Sequence, residues 1–151
     1  MDNKLCFMFG HRDSPECILP RIEEAIECHY ANYDIHSFYV GNRGSFDHMA
    51  AAAVKRVKAR HPDIRLYLLL AYHPGERAVQ LSQGFDGSYY PPLEHVPRPY
   101  AIVKANRYMA DCADSVICYV NHTGNTRDLL NHARLRQKKE ELPIENLAEN
   151  C

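Results

Sequence analysis

The chain has no run of apolar residues able to cross a bilayer. The longest, residues 66–72, falls far short of the roughly twenty that a membrane helix needs. No basic segment leads into an apolar stretch at the start, so a cytoplasmic protein with no membrane partner is expected. Charge of neither sign prevails, with 18 Lys and Arg against 19 Asp and Glu and a formal net charge of -1. No overall field exists to hold duplex nucleic acid by counterion release, and that partner is disfavoured. The densest basic clusters, at 55–60 and 134–139, fall late in two expected helices, where cations complement the macrodipole.

Paired cysteine motifs are missing as well. Cys6, Cys17, Cys28, Cys112, Cys118 and Cys151 include no CxxC, and several sit in apolar runs, so they read as reduced thiols. The nine histidines include no HxH or HxxxH spacing, so no metal is expected. A Walker lysine is absent, which argues against ATP hydrolysis of the P-loop type. The first turn lacks a GxGxxG fingerprint, which argues against a standard NAD dehydrogenase, and no cofactor is expected.

What is present is an alternation of two periodicities. Short apolar runs at 4–9, 35–40, 65–72 and 115–120 read as strands covered on both faces. Between them lie helical stripes: Ile18, Leu19, Ile22, Ala25 and Ile26, then Met49, Ala50, Ala53, Val54 and Val57 over 47–60, then helices over 100–113 and 126–139. Ser14 reads as an N-cap with Pro15 at the first helical position, and a short last strand is expected near 144–147. This order implies one α/β domain over residues 1–151, a three-layer, Rossmann-like, doubly wound parallel sheet. At 151 residues such a chain buries close to 70% of its unfolded surface and needs no staple.

The organising stretch is Tyr39-Val40-Gly41-Asn42-Arg43-Gly44-Ser45-Phe46-Asp47, between a strand and an Ala-rich helix. Gly41 and Gly44 permit a tight turn, Ser45 or Asp47 can cap the helix, and the N–H groups at its start attract anions. Similar turns follow the first strand, at Gly10-His11-Arg12, and the 115–120 strand, at Gly124-Asn125-Thr126. Parallel strands aim such loops to one edge, where ligands of these sheets bind. The segment 73–99 is long, carries five of the nine prolines and, with its flanks, holds the aromatic residues Tyr72, Phe85, Tyr89, Tyr90 and Tyr100. It is expected to form a lid over the site or a homo-oligomer contact.

The Gly-His-Arg start, the Gly-x-x-Gly-x-x-Asp turn and the Asp114-Ser115-Val116-Ile117 run leading to Gly124-Asn125-Thr126 together resemble the SLOG superfamily, and within it the YpsA-like proteins. The resemblance covers nearly the whole chain. It implies a Rossmann-like fold that binds nucleotides or nucleotide-derived small molecules, some branches being nucleotide phosphoribohydrolases and others ligand sensors. Carried over by position, it implies ligand contacts from Gly10 and Arg12, from Gly41, Gly44 and Asp47, and from Gly124 and Thr126. The hydrolytic LOG branch carries Pro-Gly-Gly-x-Gly-Thr-x-x-Glu. Here residues 121–129 match only at Gly124 and Thr126, and Leu129 stands at the acidic position.

Cleaving an N-glycosidic bond develops oxocarbenium character and needs a carboxylate close by. Asp47 is the best remaining candidate, its alternative role being a helix-start residue placed for capping. Arg12 suits bidentate phosphate binding, against a surface ion pair. His11 donates to ligand or bonds a neighbouring carbonyl. Arg107 is expected on the third helix near the same edge. The leading expectation is a non-catalytic nucleotide-binding sensor or effector that uses Gly10, His11, Arg12, Gly41, Gly44, Ser45, Asp47, Arg107, Gly124, Asn125 and Thr126. The alternative is a nucleoside monophosphate N-glycosidase with Asp47 as its catalytic carboxylate.

Overall fold

The computed structural model describes residues 4–75 and 80–150, the side chain of Asn150 excepted. The expected thiol of Cys151 and residues 76–79 of the long segment lie outside this range; the five described cysteines are free. In chain order the elements are β1 (Leu5–Gly10), α1 (Leu19–Tyr33), β2 (Ser37–Val40), α2 (Ser45–Arg60), β3 (Arg65–Leu69), β4 (Gly87–Tyr89), α3 (Ala101–Cys112), β5 (Ser115–Tyr119), α4 (Asn125–Gln137) and β6 (Ile144–Asn146). The strands form one parallel sheet in the order β4-β3-β2-β1-β5-β6. The expected architecture is therefore the observed one. No helix among the described residues is long and apolar enough to cross a membrane.

Alternation along the central strands builds two cores. Cys6 and Met8 of β1, with Ile117 and Tyr119 of β5, face α1 and α2, where they meet Ile22, Ile26, Phe46 and Val54. Phe7, Phe9, Val116 and Cys118 face α3 and α4, against Ala105, Met109, Leu130 and Ala133. A continuous apolar run is what a strand buried on both faces requires. The small residues Ala50 and Ala53, both fully buried, let α2 approach the sheet closely.

Three expectations are corrected. Ser14 does not cap α1, because a 3-10 turn at Glu16–Ile18 intervenes and Ser14 Oγ donates instead to the His11 carbonyl (2.7 Å). α2 starts at Ser45 with Gly44 as its N-cap and no side-chain cap, so Ser45 does not fill that role. The segment 73–99 is not wholly irregular: it contributes the edge strand β4, paired to β3 through Tyr67↔Gly87 and Leu69↔Tyr89. Its aromatic residues divide. Tyr89 joins Tyr39 and Tyr108 on the α3 face of the sheet, whereas Phe85 packs against the other core.

Two buried polar side chains fix the far edge. Asn146 accepts the Val120 N–H (3.0 Å) and the Ala148 N–H (3.1 Å) and donates to the Val120 carbonyl (2.9 Å), locking β6 to the end of β5. His29 bonds Ser115 (2.8 Å) and Glu145 (3.0 Å) and so ties α1 to β5 and β6. This serine, histidine and glutamate have the composition of a hydrolytic relay, but Ser115 is 0% exposed and out of any substrate's reach. The trio satisfies buried polar groups.

Candidate functional site

β1 and β5 are neighbours, yet β1 continues toward α1 on one face and β5 toward α4 on the other. Their loops meet at the carboxyl edge, at the switch-point crevice in which such sheets bind ligands. His11 lies in it, buried, with its ring stacked on that of His122 (centroids 3.5 Å apart, planes 10° apart). Its Nε2 accepts the N–H groups of Asn121 (3.0 Å) and His122 (3.3 Å). A ring nitrogen that accepts two N–H groups carries no proton, so His11 is a neutral imidazole protonated at Nδ1. Burial, followed by the nearby His122 and Arg127, holds its pKa below the ordinary histidine value, with Asp13 opposing. His122 is shifted upward, first by its bond to the Thr123 carbonyl and then by Asp13. His11 Nε2 thus bonds backbone N–H groups, a role outside both expectations for it, a ligand contact or a neighbouring carbonyl.

The second turn is stapled to the first. Ser45 N–H donates to the Arg12 carbonyl (2.9 Å), and Ser45 Oγ donates to the Ser14 carbonyl (2.6 Å). Gly44 is pressed against Arg12: a Cβ there would stand 2.5 Å from the Arg12 Cα. We expect Gly44→Ala to push the two turns apart and lower stability by about 1–3 kcal/mol, read as a fall in urea midpoint. An unchanged midpoint would show that the turns are not held together. The Arg12 side chain is exposed and has no carboxylate partner among the described residues.

Asp47 sits in the first turn of α2 and reaches back, its Oδ2 accepting the Arg43 N–H at 2.9 Å. A Cβ on Gly41 would lie 2.9 Å from the same oxygen. The residue as a whole keeps a partly exposed edge, but its carboxyl is enclosed by the turn. Desolvation pushes its pKa up to about 6 against the opposing pull of Arg43. A carboxyl that titrates there can take up or release a proton near neutrality.

The third turn is the most open. Gly124, at φ 135°, holds a backbone conformation that side chains disfavour, and nothing stands within 4 Å of where its Cβ would be. It caps α4, whose first residues Asn125 and Thr126 lie at the rim. Gly10 works underneath: its Cα faces the Phe46 ring so closely that a Cβ would overlap it. The three expected turns therefore meet at the carboxyl edge, the second bonded to the first through Ser45 and the loop at 121–126 bonded to it through His11. Arg107 differs from expectation. It is exposed and lies about 9 Å along α3 from the start that faces this edge.

His11, Asp13 and His122 are grouped closely enough to suggest a metal site, with ligand atoms within 4.8 Å of one another. The donor set does not fit one. The His11 Nε2 lone pair already serves two N–H groups, and Nδ1 carries the proton. His122 and Asp13 alone are too few for a protein-held zinc.

The sequence did not reveal a cavity of about 340 Å³ beside the second turn, lined by Tyr72, His73, Tyr90, Leu93 and Arg98 among others. Tyr72 links it to the turn: the Arg43 guanidinium lies 5.7 Å from the Tyr72 ring centroid and that of Arg98 lies 5.0 Å from it. The aromatic residues in and beside 73–99 were the available signal, but not which of them faces where. In the comparisons with known proteins, no family model and no curated protein matches this chain.

Proposed function

We propose that the protein binds a nucleotide or nucleotide-derived ligand at the carboxyl edge of the sheet and acts as a sensor or effector. The observation that carries this reading is the chemistry gathered at the switch point. Arg12, with no carboxylate partner among the described residues, follows a neutral, backbone-anchored His11, Arg127 at the start of α4 acts on that ring electrostatically, and Arg43 stands in the second turn, which is bonded to the first. Cations beside helix starts favour an anionic group, and planar guanidinium forks suit phosphate. Leu129 supports binding over hydrolysis. It is buried in the α3–α4 core, so no carboxylate enters the crevice from the position where the LOG branch has its acid.

Titration calorimetry with adenosine monophosphate and adenosine tests the reading. Arg12→Ala should weaken the monophosphate at least about tenfold while changing adenosine little, because a charge-assisted bond to phosphate is lost. Equal affinities of wild type and variant for the monophosphate would remove Arg12 and this edge from consideration. A second reading, N-glycosidase action on a nucleoside monophosphate, is favoured by the enclosure of the Asp47 carboxyl in the second turn, where it accepts the Arg43 N–H and burial raises its pKa to about 6. Under it, chromatography would detect free base released by the wild type and none by Asp47→Asn. Under the sensor reading the wild type releases none.

A further inference from the structure

We propose that the cavity lined by Tyr72, His73, Tyr90 and Leu93 is the ring-binding half of the same site. It would take one flat, aromatic, nucleobase-sized group whose anionic tail passes the edge of Tyr72 toward the Gly41–Gly44 turn. This proposal rests on the nucleotide-binding reading and assigns the ligand's orientation and size. Tyr72, His73 and Tyr90 supply aromatic surface around the cavity, with Leu93, Val96 and Ala101 as its apolar lining. His73 and Tyr90 meet edge to face, with centroids 5.4 Å apart. His73 Nδ1 accepts the Gly75 N–H (2.8 Å), so in the neutral ring the proton sits on Nε2 and can be donated to a ring nitrogen or carbonyl. Aromatic walls with a few polar groups are what a small-ligand pocket offers a planar ring.

Size and charge set the orientation. A volume of about 340 Å³ is at the small end of ligand pockets, roughly 300–1,000 Å³. It has room for one base with part of its sugar and none for a second base. Tyr72 forms the partition between cavity and turn, with a guanidinium over its ring from each segment, Arg98 from the cavity lining and Arg43 from the turn. Glu94 in the cavity lining disfavours an anion inside, and Arg43 beyond Tyr72 draws the anionic tail toward the start of α2.

The test is calorimetry of wild type, Tyr90→Phe and Tyr90→Leu with adenosine monophosphate, ribose 5-phosphate and the dinucleotide NAD, with thermal melts to confirm folding. The proposal expects wild type to bind the monophosphate more tightly than ribose 5-phosphate and NAD. Tyr90→Leu should weaken the monophosphate about tenfold by removing the stacking face. It should leave ribose 5-phosphate within twofold, and Tyr90→Phe should restore the monophosphate. If both ligands bind but Tyr90→Leu weakens them equally, or not at all, the ring does not enter this cavity and the nucleotide reading stands without it. Tighter binding of NAD would overturn the size assignment. If neither phosphate binds the wild type, both this proposal and the nucleotide reading fall.

Discussion

Phe46→Ala should destabilise the protein by about 3–5 kcal/mol, the range for deleting a buried aromatic ring. Phe46 is fully buried in the first turn of α2, among the residues that join α1 and α2 to the sheet. Its ring lies under Gly10, where β1 turns into the crevice, so one side chain supports both the core and the floor of the site. Close packing makes the pair testable. Gly10→Ala alone forces a methyl into the ring and is destabilising, because a fully buried ring has nowhere to retreat. In the Phe46→Ala background the same methyl enters the space the ring has left, and its cost should fall. A double-mutant cycle by urea denaturation should give a coupling of at least about 1 kcal/mol. Additive effects would mean that the turn does not rest on the ring.

The strands legible in the sequence were those whose pattern states their environment. The apolar runs of β1, β3 and β5 can only be satisfied under cover on both faces, and the stripes of α1 and α2 place themselves against that sheet. β4 has no such pattern. Gly87-Ser88-Tyr89 becomes a strand because β3 offers it an unpaired edge, a tertiary cause that local reading cannot see. The serines failed for a related reason. Ser14 and Ser45 have the chemistry of helix caps, but the turns that carry them pack together: the Ser45 hydroxyl finds the Ser14 carbonyl across that contact, and the Ser14 hydroxyl turns back to the His11 carbonyl of its own turn. The turns themselves were legible, since glycine placement shows where backbones must approach, as Gly44 and Arg12 do. What fills the space beside them was not. Nothing in the spacing of Tyr72, Tyr89 and Tyr90 tells which ring joins the sheet and which lines a cavity.

Asp47→Asn should stabilise the protein at pH 8 by about 2 kcal/mol, a gain that should vanish near pH 4. Two effects of opposite sign compete at this residue. As an anion in the first turn of α2 it interacts favourably with the helix dipole, a contribution of about 0.3–1 kcal/mol, and removing that charge would destabilise. Enclosure of the carboxyl acts the other way and raises its pKa to about 6. The folded carboxyl keeps its proton to about pH 6, whereas the unfolded one releases it near pH 4. The folded state therefore binds more protons between these values. The contribution of Asp47 is fully present below about pH 4 and is lost as pH rises through 6. A displacement of this size corresponds to about 3 kcal/mol, and partial exposure of the residue's outer edge brings it nearer 2, still larger than the dipole term. Asparagine retains an acceptor for the Arg43 N–H without the buried charge, so the two proteins should be equally stable at low pH and diverge above it. Urea denaturation of both at pH 4 and pH 8 measures this. A variant less stable than wild type at pH 8 would show that Asp47 serves as a helix-start charge and nothing more. A more stable one would mark a carboxylate kept at a cost to folding, as sites for binding or proton transfer are.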